Sequence, residues 1–173
     1  MKTERLILRP LELADASRLV ELAGDWDVAR QTARIPHPYS LVAADQWISS
    51  LAHDEVVFAI DHDGAMIGAC GYVLGTDETA EIGYWIGKPY WGRGFATEAA
   101  RALVEHCFHE KGLKRLDCCH FEDNLASRRV IEKLGFKALG PCTAWCEARG
   151  VEVPTRRYEQ KRSRLKFWKR KAA

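Results

Sequence analysis

The chain has 173 residues, of which 47% are hydrophobic and 29% are charged, and its formal net charge is +2. This length and composition allow one domain with a sizeable core, and the near balance of charge excludes a binding surface for nucleic acid or membrane that covers the whole molecule. No apolar run approaches the roughly 20 residues that cross a bilayer, and the first residues lack the apolar region of a signal peptide. We therefore expect a cytoplasmic protein.

The first half of the chain predicts four strands and two helices. Patterns of apolar residues favour strands at 5–9, 56–60, 66–74 and 80–86, with turn residues between the second and the third. Helical periodicity favours a helix at 14–23 and another that begins after the capping residue Ser40. Between these helices lies a proline loop, Pro36-His37-Pro38-Tyr39, which we interpret as a wall facing the substrate. His37 and Tyr39 are its candidate contacts, and a plain surface loop is the alternative for His37.

The second half alternates strands and helices. The chain turns through Gly92 and Gly94 into a helix that Gly112 ends. A strand follows at 115–121, then a helix capped by Asp123 or Asn124, and finally a hairpin within 136–158. This alternation favours a strand-helix-strand crossover in which the two strands run parallel.

The clearest sign of a ligand site is the segment Tyr90-Trp91-Gly92-Arg93-Gly94-Phe95-Ala96-Thr97. It joins a strand to a helix, so that free backbone N–H groups and the positive end of the helix point at one place. Gly92 and Gly94 let the backbone approach phosphate oxygens closely, and Arg93 can add a charge-assisted contact. Taken alone, the segment fits a tight loop before a core helix equally well.

The same segment resembles the diphosphate-binding motif of the GNAT N-acetyltransferase superfamily, which reads Arg or Gln, two residues, Gly, one residue, then Gly or Ala. This chain departs at the first position, where it carries Trp91, as is ordinary in the RimJ/RimL branch of ribosomal-protein N-terminal acetyltransferases. A second match to that branch is Asn124-Leu125-Ala126-Ser127 followed by Glu132-Lys133-Leu134-Gly135-Phe136. The resemblance implies the mixed α/β GNAT fold, in which helices flank a mostly antiparallel, twisted sheet that contains one splayed parallel strand pair.

The resemblance also implies acetyl-CoA as the acetyl donor, with coenzyme A as the product and no metal. Residues Tyr84, Trp85 and Ile86 would pair their backbone with the pantetheine arm of the cofactor. Asn124 would hydrogen-bond the arm from the other side, and Ser127 would lie beside it. The diphosphate would rest on a cradle made of Gly92, Arg93, Gly94, Phe95, Ala96 and Thr97.

Two residues are candidates for proton transfer. Acetylation requires a neutral amine, and Glu81 is similar in position to the glutamate with which several family members relay a proton through water. Ser127 stands where the branch carries a serine proposed to protonate the departing thiolate, while the tyrosine that is commoner in the family is replaced here by Ile131. The alternatives are a solvated strand-end carboxylate for Glu81 and a capping or solvated hydroxyl for Ser127.

The six cysteines are expected to be reduced thiols, because they are spread through a chain that can build an ordinary core. Cys118, Cys119 and His120 are adjacent, and Cys142 and Cys146 have a spacing compatible with zinc. Neighbours on a strand point to opposite faces, however, and no second pair of ligands repeats the spacing. We therefore expect structural thiols rather than a metal site.

The domain is predicted to span residues 1–162, followed by a basic tail at 163–173 that carries Leu165, Phe167 and Trp168 among its lysines and arginines. Such a tail suits weak contact with RNA or an anionic surface, and a flexible tail without a partner is the simpler interpretation. The acceptor is expected to be a protein N-terminus or a small-molecule amine. The alternative function is a non-catalytic coenzyme A sensor or a module associated with the ribosome or RNA, and both a monomer and a homodimer fit the sequence.

Overall fold

The computed structural model describes residues 1–162. The strands are β1 (Ile7–Pro10), β2 (Glu55–His62), β3 (Ala65–Leu74), β4 (Thr79–Ile86), β5 (Arg115–Phe121), β6 (Lys137–Cys146) and β7 (Val151–Lys161). The helices are α1 (Ala16–Ala23), α2 (Trp26–Ala29), α3 (Leu41–Ser49), α4 (Phe95–Glu105) and α5 (Leu125–Lys133). The predicted basic tail lies outside the described residues.

The seven strands form one sheet in the order β1-β2-β3-β4-β5-β7-β6. Neighbouring strands are antiparallel except β4 and β5, which run parallel because α4 carries the chain back across the sheet between them. The parallel pairing is short and extends only from Thr79 opposite Arg115 to Glu81 opposite Asp117. The predicted mixed α/β fold and its parallel strand pair are thus confirmed.

The sheet has a different set of helices on each face. On the face that we call the α4 face, Phe95 and Leu103 of α4 and Ile131 of α5 pack with sheet residues into the main core. The opposite face, the α1 face, is covered by α1 and α3, whose apolar side chains pack on β2 and β3. The buried residues of this second core are Ala16, Leu19, Ala44, Ile48, Ala59, Met66 and Ala69.

The predicted helix starts and stops agree with the backbone at several points. Ser40 caps α3, since its hydroxyl accepts a hydrogen bond from the Ala43 N–H at 3.1 Å. Of the two candidate caps for α5, Asn124 is the one that accepts, at 3.0 Å from the Ser127 N–H. Gly112, with φ of +71°, ends the segment that follows α4.

Several predicted elements differ in their bounds. The first strand begins at Ile7 rather than at residue 5 and includes Pro10. The first helix begins later than predicted, because Leu13–Asp15 form a 3₁₀ turn closed by reciprocal contacts between Glu12 and Asp15. The helix after the glycine turn widens at its end into a π-helical segment, His106–Glu110. Within residues 1–162, no helix has both the length and the apolar character needed to cross a membrane.

Candidate active site

A cleft opens where β4 and β5 separate. Their pairing stops at Glu81 and Asp117, although β4 continues to Ile86 and β5 continues to Phe121. On their outer edges the two strands stay paired, β4 with β3 and β5 with β7. Only the inner edges therefore lose their strand partners, and their backbone N–H and C=O groups can bind a ligand that itself carries amides.

The glycine turn lies where β4 leads towards α4. Gly92 and Gly94 have φ of +75° and +82°, a region that residues with a Cβ adopt only at a cost. No described side chain caps α4, and its first backbone hydrogen bond runs from the Glu98 N–H to the Gly94 carbonyl. The N–H groups that precede this bond lack an intrahelical acceptor and suit a phosphate. They belong to Phe95, Ala96 and Thr97.

Side chains of the N-terminal segment hydrogen-bond to the glycine turn and to α4. The Arg5 guanidinium binds the Glu98 carboxylate through Nε at 2.7 Å and donates through Nη1 to the Arg93 carbonyl at 3.0 Å. Thr3 also donates to Glu98, at 2.6 Å. Burial alone would raise the pKa of Glu98, but the hydrogen bonds from Thr3 and Arg5 outweigh it and lower that pKa. Glu98 is therefore an ionised anchor between the first residues of the chain and α4.

The side chains of the turn have roles that the sequence did not reveal. The Trp91 indole donates to the Ile86 carbonyl at 2.6 Å, so it fixes the turn to the end of β4. The Arg93 guanidinium lies over the buried Phe95 ring, 4.7 Å from its centroid, and within 3.4 Å of the His62 ring nitrogen. In this conformation Arg93 packs against the protein, and its predicted phosphate contact stays a prediction.

Tyr84 and Ser127 meet at the α4 face of the cleft. The Tyr84 hydroxyl lies 3.0 Å from Ser127 Oγ and 3.3 Å from the Ser127 carbonyl oxygen. Burial raises the pKa of Tyr84, so the phenol stays neutral throughout the physiological range. Ser127 is also fixed through its N–H, which donates to the Asn124 side chain. The structure thus brings together three predicted residues, Tyr84, Asn124 and Ser127.

Glu81 lies on the opposite, α1 face of the sheet. Side chains alternate along β4, so that Ile82 and Tyr84 face the main core while Trp85 packs with α1 and α3. Glu81 is exposed beside Cys119, whose Sγ is 3.8 Å from Glu81 Oε1. Loss of hydration, together with the charge of Glu81, raises the pKa of the Cys119 thiol to about 11, which disfavours the reactive thiolate.

Two loops that are far apart in sequence contact each other near the end of β5. The Arg149 guanidinium donates to the Arg30 carbonyl at 2.7 Å and binds Asp123 at 2.8 Å. The Cys146 thiol and the Glu147 N–H reach carbonyls of the same loop, residues 30–33. We call this contact the loop clamp. It joins the chain after α2 to the turn between β6 and β7, close to the end of β5.

The proline loop is held by contacts of its own. His37 Nδ1 lies 3.0 Å from the Gly24 carbonyl, and its ring meets the Trp26 ring edge-on at 5.1 Å. Tyr39 packs with the α1 and α3 core, and burial raises its pKa to about 12. None of these described contacts joins His37 or Tyr39 to Glu81 or Ser127. Their predicted substrate contact therefore stays a prediction.

The candidate metal ligands do not converge in residues 1–162, where no group of three or more His, Cys, Asp or Glu side chains could hold an ion. All six cysteines are free. His120 is buried, with one ring nitrogen 3.1 Å from the Tyr158 hydroxyl. That pair borders a cavity of about 540 Å³ beside α5. The cavity is also lined by Arg128, which is paired with Glu132, and by Arg156, which is paired with Glu122. Because these ion pairs neutralise both arginines, the cavity offers little net charge to an anion such as a phosphate.

Comparison with known proteins points in one direction. The model of the acetyltransferase (GNAT) domain family matches residues 5–137. The uncharacterized N-acetyltransferase p20 of Bacillus licheniformis is 31% identical over 156 residues, which cover 86% of this chain and 88% of p20. Two solved structures share the fold at low identity. RimL, a ribosomal L7/L12 α-N-protein acetyltransferase in complex with coenzyme A, has a TM-score of 0.81 and 18% identity over 92% of this chain and 95% of its own. RimJ of Mycobacterium smegmatis has a TM-score of 0.80 and 22% identity over 90% and 81%.

Proposed function

The chain belongs to the GNAT family of acetyl-CoA-dependent N-acetyltransferases, and from that premise we propose that it passes acetyl directly from acetyl-CoA to a primary amine in a ternary complex. The acceptor is a protein N-terminus or a small-molecule amine. The observation that carries the proposal is the cleft between β4 and β5, which leads from Glu81 and Ser127 to the uncapped start of α4.

The residues along the cleft fit acetyl-CoA in chemistry and order. The unpaired inner edge of β4, which includes Tyr84, Trp85 and Ile86, suits the amides of the pantetheine arm. The glycine turn then suits the diphosphate, because a Cβ on Gly92 would meet no atom within 4 Å and the space in front of it is open. Asn124 uses its side-chain oxygen to cap α5 and keeps its NH₂ group for the arm.

The two faces of the sheet support separate chemical roles. A thioester lying between β4 and β5 is open to the α1 face, where Glu81 lies beside the exposed Gly83. On that side the amine would attack, and Glu81 would take up its proton directly or through water. Ser127 lies on the α4 face, where its hydroxyl would donate a hydrogen bond to the departing sulfur. Backbone N–H groups of residues 83–86 would stabilise the charge on the thioester oxygen.

The acceptor class rests on the relatives rather than on the cleft. RimL acts on a protein α-amino group by its name, and we extend an amine acceptor of that kind to this chain as part of the proposal. Gly83 leaves open space on the α1 face of the cleft, because even an added Cβ would meet no atom within 4 Å. A larger side chain at this position would fill that space. The cleft mouth therefore has room for an amine at the end of a chain.

The test is thiol release from acetyl-CoA in the presence of N-terminal peptides, polyamines and aminoglycosides. We expect one of these classes to give steady turnover and an acetylated amine that mass spectrometry identifies. Tight coenzyme A binding without turnover on any acceptor would contradict the proposal and favour the non-catalytic sensor. Acetylation of a cell extract with labelled acetyl-CoA then shows which amine is preferred.

Substitutions at Ser127 and Glu81 separate the two chemical roles. Ser127→Ala should lower kcat by roughly a hundred-fold, the lower end of the range for loss of one hydrogen-bond donor to a developing negative charge, while KM for acetyl-CoA changes little. Glu81→Gln should lower the rate by a similar factor and leave coenzyme A binding intact. The matched control is Ser17→Ala, which removes an exposed serine from the first turn of α1. Wild-type kcat in Ser127→Ala would remove the serine from the mechanism.

A further inference from the structure

Tyr84 makes a contact that its predicted role, through the backbone alone, does not use. Its hydroxyl reaches both oxygens of Ser127, Oγ at 3.0 Å and the carbonyl at 3.3 Å, across 43 residues of sequence. The ring packs against the main core, which fixes the direction of the hydroxyl. Since Asn124 fixes the N–H of Ser127 as well, every polar group of this serine has a partner before any substrate binds.

Proton affinities limit what these two hydroxyls can do. An ordinary thiol ionises near pH 8.5 and an ordinary phenol near pH 10, so a phenol gives its proton to a thiolate with an equilibrium unfavourable by about thirty-fold. Burial raises the pKa of Tyr84 further, and an alkyl hydroxyl is a weaker acid still. Both residues therefore keep their protons overall and can stabilise a leaving thiolate only by donating hydrogen bonds to it.

We propose that Tyr84 is a positioning residue for Ser127, which it holds by donating to Ser127 Oγ, so that the serine hydrogen is directed at the sulfur of coenzyme A. No bond to hydrogen is broken in this arrangement. The thiolate leaves with its negative charge stabilised by Ser127, and solvent later protonates it. The hydrogen bond from Tyr84 strengthens that donation, because an oxygen that accepts one hydrogen bond donates its own hydrogen more strongly.

This inference rests on the proposed function for the identity of the leaving group, but it can be tested without turnover. Coenzyme A bound to the enzyme carries a thiol whose ionisation is followed by the ultraviolet absorbance of the thiolate. If Tyr84 and Ser127 direct a hydrogen bond at the sulfur, bound coenzyme A should ionise more readily in the wild type. We expect the acid dissociation constant of the bound thiol to fall about ten-fold in Tyr84→Phe and at least as far in Ser127→Ala.

The matched control is Tyr158→Phe. It removes another buried tyrosine hydroxyl, which is bonded to His120 at 3.1 Å on the same face of the sheet, and it should leave the bound thiol as it is in the wild type. Equal ionisation of bound coenzyme A in the wild type and Tyr84→Phe would overturn the inference alone. Failure of all forms to bind coenzyme A would overturn the proposed function, and the inference with it.

Rates provide the second measurement. Tyr84→Phe should lower kcat about ten-fold with little change in KM for acetyl-CoA. In a double-mutant cycle, Tyr84→Phe added to Ser127→Ala should have almost no further effect, because Tyr84 acts through the serine. Equal factors in both backgrounds would show that Tyr84 acts independently and would contradict the positioning role.

Discussion

The donor side and the acceptor side of the cleft are built in different ways. On the proposed donor side, the binding groups would come from the backbone of β4, the glycine turn and the first turns of α4 and α5, and a few neighbouring residues define each of these elements. On the proposed acceptor side lies the loop clamp, in which Arg149 donates to the Arg30 carbonyl across 119 residues of sequence. Binding groups on the main chain remain when side chains are substituted, whereas the loop clamp depends on a few particular side chains.

This difference explains why sequence patterns point to the donor more directly than to the acceptor. Main-chain N–H groups at a helix start can bind a diphosphate with little dependence on side chains, so the glycine turn by itself indicates this kind of site. An acceptor would meet side chains and loops, and the fold alone does not determine which substrate they accept. The following substitutions should weaken one side of the cleft without the other.

Among the substitutions that compare the two sides, the largest effect is expected at Gly92. Gly92→Ala and its control Gly112→Ala place a Cβ at almost equal φ, +75° and +71°, and in both cases in open space. Both should lose about 1–2 kcal/mol of folding stability through backbone strain. Only Gly92→Ala should also weaken coenzyme A binding, by roughly thirty-fold, because the new methyl group displaces a phosphate from a backbone N–H. Calorimetric titration measures this, and equal affinities would place the diphosphate elsewhere.

A smaller effect is expected at the loop clamp. Arg149→Ala removes the contacts to Arg30 and Asp123 and the stacking over Phe121. It should raise KM for the amine about ten-fold and leave KM for acetyl-CoA unchanged, as expected when one well-placed charged hydrogen bond no longer holds a loop. The control is Arg156→Ala, a half-exposed arginine paired with Glu122. A rise in KM for acetyl-CoA instead would mean that the clamp acts through Asp123 on the start of α5.

The smallest effect is expected at Asp15, which precedes the first residue of α1. Asp15 accepts from Arg9 at 2.7 Å, and this hydrogen bond outweighs burial and lowers the pKa of Asp15. A carboxylate with a depressed folded pKa stabilises the fold above its unfolded pKa, and this stability is lost as the pH falls through the folded value.

Asp15→Asn should therefore cost about 1 kcal/mol at neutral pH, since Arg9 keeps Asp61 as a partner. The difference from the wild type should shrink below about pH 4, where Asp15 is protonated in the unfolded chain. Urea unfolding at several pH values measures it. A difference that does not change with pH would mean that the substitution acts through packing.

Local patterns predicted most of the fold and placed the candidate site residues on their elements. The caps, the glycine turn and the parallel strand pair follow from short segments, and Asn124 and Ser127 come together because they share one helix start. Contacts distant in sequence were missed. Arg5 supports the turn through Glu98, 93 residues away, and Tyr84 meets Ser127 with no local signal, because register and strand separation decide which side chains share the cleft.

The short parallel pairing has a mechanical consequence. The sheet has two parts, β1 to β4 and β5 to β7, which are joined by only three residue pairs between β4 and β5. The last of these pairs is Glu81 with Asp117. A molecule whose amides hydrogen-bond to both inner strand edges beyond this pair would replace the strand pairing that is missing there. Each bond it formed on both sides would tie the halves together, so that occupancy of the cleft would stiffen the whole sheet and raise its resistance to unfolding.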